Sequence, residues 1–111
     1  MTMQFPIVLF DVDDYPYVMA TASDLDRWTE PANVLDLKLG FDVTGAVITA
    51  RPNRKDREGP PTWEVGPVDR TRMVEQARLS LHRYSKRRDR SWLGEGESPA
   101  RIIEVMASEI R

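Results

Sequence analysis

Three groups of side chains in this chain of 111 residues have the type and spacing to do chemistry. Asp11 and Asp13 stand two apart where the apolar run Ile7-Val8-Leu9-Phe10 surfaces, with Asp14 beside them. Arg83 to Arg90, RYSKRRDR, gathers cations that would attract phosphate and release its counterions. Tyr84 within that run and Trp92 just after it are rings on which bases could stack. His82 is the lone histidine, and no Asp or Ser stands at a motif spacing from it, so a structural role is expected. The chain has no cysteine, hence no thiolate nucleophile, disulfide or Cys-ligated metal, and one histidine leaves no His-rich metal site. No phosphate-binding glycine loop, nucleophile elbow or zinc motif occurs, and no cofactor is expected.

An apolar strand ending in Asp-x-Asp resembles the first motif of haloacid-dehalogenase-like phosphatases. The resemblance implies Asp11 as the nucleophile on phosphorus and Asp13 as acid and base, with Mg²⁺ offsetting the phosphate charge. Tyr15 stands where that family carries Thr or Val. The family's fold needs several parallel strands joined by crossover helices, each unit about 30 residues or more, and this chain has room for one. Neither the later lysine nor the later acidic pair can be assigned. Function has to be argued from a whole site, so acids exposed at the end of a buried strand are the simpler expectation. The basic run has a simple reading too, as the solvated end of a helix in a chain of pI about 5.4. Nucleic-acid binding through residues 69–90 stays the alternative function, ahead of the phosphatase.

The elements that position these residues follow from periodicity. Phe5 to Phe10 is continuously apolar and rich in β-formers, which predicts a strand buried on both sides. Asp11 to Pro16 reads as a loop and Tyr17 to Thr21 as a second strand. Ser23 can cap a short helix with Asp26 as its capping-box partner. Leu25 and Trp28 form that helix's apolar face, and Pro31 ends it near Glu30. Leu35, Leu37, Leu39 and Phe41 alternate with polar residues as in a half-buried antiparallel strand. Asp42-Val43-Thr44-Gly45 then supplies a turn before a strand from Ala46 to Ala50.

Arg51 to Pro61 carries three prolines, a glycine, four basic and two acidic residues, and reads as a long exposed loop. Thr62 to Val65 offers a last strand, with Trp63 as a core or edge-covering ring and Gly66-Pro67 as its end. From Asp69, a plausible N-cap, to about Arg90, Met73, Ala77, Leu81 and Tyr84 step as a helix face. After a glycine-bearing connector, Ser98 and Pro99 open a final helix striped by Ile102, Ile103, Met106 and Ile110.

Between Val18 and Ile48 the pattern of short helix, Glu-Pro, strand and Asp-x-x-Gly resembles a group of small actinobacterial-type proteins, many of them candidate immunity proteins of polymorphic toxin systems. The matching residues are Asp24, Leu25, Glu30, Pro31, Val34, Asp42 and Gly45, over about a quarter of the chain. They are scaffold residues. The resemblance implies a non-enzymatic protein that covers a cognate bacterial toxin.

Length and composition predict one α+β domain over residues 1–111. Its mainly antiparallel sheet would have four or five strands, a short inserted helix, and two C-terminal helices on one face. No apolar run approaches the roughly 18 to 20 residues that span a bilayer, and the first residues lack the pattern of a signal peptide, so a cytoplasmic protein with no membrane partner is expected. Residues 1–45 carry eight acidic against two basic side chains, and residues 69–90 three against eight. That polarity suits a cationic partner on one side, unless the halves neutralise each other across the fold. For such a partner Asp11, Asp13, Asp14, Asp24 and Asp26 would steer association, and Tyr15, Tyr17 and Trp28 are the candidate aromatic anchors. Trp28 stands equally as a core residue. The sequence fixes no oligomeric state.

Overall fold

In a computed structural model, residues 2–29, 31–52, 61–86, 93–94 and 96–110 are described. Five antiparallel strands, β1 (Ile7–Asp11), β2 (Pro16–Met19), β3 (Leu37–Asp42), β4 (Ala46–Arg51) and β5 (Thr62–Val68), form one sheet in the order β2-β1-β3-β4-β5. Two short helices, α1 (Ala22–Trp28) and α2 (Pro31–Leu35), lie between β2 and β3, and α3 (Arg70–Tyr84) and α4 (Pro99–Glu109) follow the sheet. This is the α+β class that the patterning predicts. No helix among the described residues is long and apolar enough to cross a membrane.

The unbroken apolar run of β1 is explained by burial on both faces. Val8 and Phe10 join Leu39, Phe41 and Val47 beneath Met73, Ala77 and Leu81 of α3 and Ile102, Val105 and Met106 of α4. Ile7 and Leu9 point the other way, to a smaller cluster with Met19, Ile48 and Leu25 of α1, flanked by half-buried Tyr17, Trp28, Leu37 and Trp63. Burying side chains of this size stabilises by roughly 1.5–3 kcal/mol each, which fixes β1 as an interior strand.

Several local features differ from the expectation. The α1 cap is Thr21, two residues before Ser23, and its capping-box partner is Asp24 rather than Asp26. Thr21 Oγ1 accepts from the Asp24 N–H, while Asp24 Oδ2 accepts from the N–H groups of Ala20 and Thr21. The helix closes at Thr29, whose N–H and hydroxyl both return to the Leu25 carbonyl. Pro31, expected only as a stop, opens α2, a place where its missing N–H costs nothing. Leu35 consequently belongs to α2 and is exposed, and β3 begins at Leu37.

Alternation along β3 is broken once. Phe10 faces Leu39 and Asp11 faces Leu37, so Lys38 is the extra residue of a bulge. The bulge sends Leu37 to the smaller cluster while Leu39 and Phe41 face α3 and α4. A second register shift opposite Ala46–Ile48 lets β5 run on through Gly66 and Pro67 to Val68 instead of stopping at Val65. Being an edge strand, β5 tolerates the proline. Asp69 and Ser98 cap α3 and α4 as expected, but α3 ends at Tyr84, with Ser85 as its C-cap.

Asp42 organises the β3–β4 turn from a nearly buried position. Its Oδ1 accepts from the N–H of Thr44 at 2.9 Å, the Thr44 hydroxyl at 2.6 Å and the N–H of Ala46 at 3.1 Å, and its Oδ2 from the N–H of Gln4 at 3.2 Å. Burial pushes this carboxyl up, but the Thr44 hydroxyl and the three N–H donors outweigh it and hold it below its ordinary value. In Asp42→Asn one of the two acceptor positions becomes an NH₂ that faces a donor. We expect a loss of about 1–2 kcal/mol in urea unfolding.

Candidate functional site

The sheet leaves one edge at β2, and an open groove of about 880 Å³ runs along it between α1 and the end of α4. On the α1 side it is lined by Tyr17, Asp24, Arg27 and Trp28, and on the α4 side by Met106, Ala107 and Ile110. Its floor is β2 itself, and Tyr15 stands at one end. Four rings follow this edge in an unbroken row. Tyr84 meets Tyr15 at 4.9 Å between centroids, Tyr15 meets Tyr17 at 5.2 Å, and Tyr17 meets Trp28 at 5.6 Å. The first two contacts are edge-on, the geometry that ring quadrupoles favour.

The row is held by the β1–β2 turn, where two of the five acids expected to face a partner, Asp11 and Asp14, have their carboxylates engaged. Asp11 folds back on its own loop: Oδ1 accepts from the N–H groups of Asp13 and Tyr15 at 2.9 and 3.0 Å, and Oδ2 from the Tyr17 hydroxyl at 3.2 Å. Asp14 has φ 65° and is nearly buried. Its Oδ1 accepts from Lys38 Nζ at 2.9 Å and Gln76 Nε2 at 3.0 Å, with Arg83 Nε 3.8 Å from Oδ2, and its carbonyl accepts from the Ser80 hydroxyl at 2.6 Å. The hydrogen bonds from Gln76 and Lys38 hold this carboxyl below its ordinary value, against burial, with the charges of Lys38 and Arg83 adding to them. The β3 bulge is what aims Lys38 at this site. Asp13 is exposed, and its carbonyl accepts from Arg83 Nη1 and the Tyr84 hydroxyl.

Of the residues expected to bind a partner, Tyr15, Tyr17, Asp24 and Trp28 thus meet in one groove. Asp11, Asp13 and Asp14 form the turn beyond its end, and Asp26 is exposed on α1 without lining it. Asp14 is a pin between the hairpin, β3 and α3 rather than a steering charge. Asp24 is spent on its capping box and an ion pair with Arg27. Its carboxyl is pushed up by desolvation but held below its ordinary value overall by Thr21, Arg27 and Ala20. Sequence reasoning missed Val18, Arg27, Ala107 and Tyr84 as members of this edge. Trp28 packs on the smaller cluster, the core role left open for it, and also lines the groove.

Among the described residues the resemblance to phosphatases finds no matching scaffold, since every strand pairing there is antiparallel and both Asp11 oxygens are held inside its own hairpin. Among the described residues no three His, Asp or Glu side chains converge as a metal site. The basic cluster Arg87 to Arg90 with Trp92, and most of the loop 51–61, lie outside the described residues. No protein-family model, curated protein or solved structure matches the chain.

Proposed function

We propose that this chain is a non-enzymatic protein-binding module that holds its partner against the β2 edge. One observation carries the reading: the edge strand opens into a groove between two helices, lined by a row of aromatic rings that bury only part of their surface. Tyr and Trp give large, rigid contact area at small entropic cost, which is why they dominate binding hot spots. The resemblance over Asp24 to Gly45 makes a cognate bacterial toxin, met in the cytoplasm, the first partner to test. An immunity protein of this kind needs shape and charge at one surface and no reacting group.

Affinity purification of the tagged chain from its host, with mass spectrometry of what co-elutes, should return one protein at near equal stoichiometry, toxic when expressed alone and harmless with this chain. Ala107→Glu puts charge into the groove from an exposed helix position and should weaken that complex at least about tenfold. Arg72→Ala, on the exposed side of α3, should leave it intact. The opposite pattern would move the interface to the basic helix and sink the reading.

A further inference from the structure

The β2 edge dictates how a partner can be held, and this rests on the groove being the partner site. In the β1–β2 ladder Asp11 N–H donates to the Tyr15 carbonyl, and these residues face one another in the same register as Leu9 with Tyr17 and Ile7 with Met19. Odd residues of β2 therefore spend their backbone groups on β1. The groups of Pro16, Val18 and Ala20 point the other way, toward the groove. Pro16 has no N–H, and the Ala20 N–H already goes to Asp24 Oδ2. Among the described residues, Val18 is left as the β2 residue that offers both a donor and an acceptor to an incoming strand, with the Pro16 carbonyl as a further acceptor.

A strand laid on Val18 sends alternate side chains to the two flanks. One flank is Met106, Ala107 and Ile110, which suits an aliphatic side chain. On the other stand the rings of Tyr17 and Trp28. The charge about Tyr17 is negative: its hydroxyl donates to Asp11 Oδ2, and its phenol is pushed up first by burial and then by Asp11, with Asp36 adding to it. The neighbouring cations are engaged, Lys38 and Arg83 with Asp14 and Arg27 with Asp24. Aromatic faces backed by carboxylates favour a cation. We propose that the groove takes an extended segment of its protein partner by strand addition centred on Val18, with a lysine or arginine of that segment over Tyr17 and Trp28 and an aliphatic side chain against Ala107.

Amide-resolved NMR titration of the full chain tests this with two synthetic five-residue peptides, acetyl-KVKVK-amide and acetyl-EVEVE-amide. The lysine peptide should shift Val18, Tyr17 and the Trp28 indole, bind about tenfold tighter than the glutamate peptide, and weaken with added salt. N-methylation of its two valines, which stand on the same face as Val18 and so exchange backbone bonds with it in an antiparallel pairing, should lose most of that binding. Equal binding of both peptides at Val18 would overturn the cation preference and leave the groove reading standing. Shifts of these residues on concentrating the protein alone would give the edge to a second copy and overturn the proposal. If neither peptide moves Val18 or Trp28 and Ala107→Glu leaves the purified complex unchanged, the groove reading itself falls.

Discussion

Asp14→Ala is expected to destabilise the chain by about 2–4 kcal/mol in urea unfolding, more than any surface substitution should. Two costs combine. The backbone at φ 65° lies in the left-handed region, which Asp and Asn tolerate better than Ala. The carboxylate receives Gln76 and Lys38, and its loss leaves a buried amide without its acceptor. Two further variants separate these costs. Asp14→Gly keeps the backbone and drops the acceptor, whereas Asp14→Asn keeps backbone and one oxygen but loses the charge, so Asn should retain the most stability. A pH series adds an independent check. The carboxyl lies below 3.8 in the fold and returns to about that value when unfolded. Its stabilisation is therefore complete above about pH 4 and lost as pH falls through the folded value. Asp42 titrates in the same direction, so the acid limb should become shallower in Asp14→Asn without vanishing.

The difficulty of reading Asp14 from sequence lies in distance. Gln76 is 62 residues away, and nothing local in Asp11 to Pro16 says that the third acid of a loop will be buried against a later helix. The sheet and the long helices were legible because burial imposes a period of two or of 3.6 on many residues at once. Single-residue events were not. The Lys38 bulge leaves the alternation Leu35 to Phe41 looking unbroken, although it splits those leucines between two faces. Thr21 and Ser23 are both good caps with an Asp three residues on, and the choice falls to Thr21, the one whose partner's carboxylate reaches back to the N–H groups of Ala20 and Thr21. The aromatic anchors could be named from composition near the acidic loop. That they share an edge could not, because local pattern does not say which strand lacks a neighbour, nor that Ala107 of the last helix and Ile110 just after it line the groove beside the second strand.

The groove depends on that edge being held rigidly, and the hold runs inward through β1 to β3. Gly40→Ala tests this link and should have the largest effect of any single methyl added to the chain. A Cβ at Gly40 would stand 2.4 Å from Leu9 Cδ2 and 2.8 Å from the Val8 carbonyl oxygen. Leu9 cannot swing away, being fully buried in the smaller cluster, and the carbonyl belongs to the strand that pairs with β3. Strand or cluster must shift, at a cost of about 3 kcal/mol or more, a large part of the 5–15 kcal/mol typical of a whole domain. Gly94→Ala and Gly96→Ala meet no atom within 4 Å and should change stability by less than about 0.5 kcal/mol. Adding Leu9→Ala to Gly40→Ala removes one clash but opens a cavity and leaves the carbonyl contact, so it should not restore the native midpoint. Partner binding by Gly40→Ala should fall with the folded fraction and recover where that fraction is restored. Ala107→Glu should bind poorly however completely it folds, and this contrast separates damage to the scaffold from damage to the site.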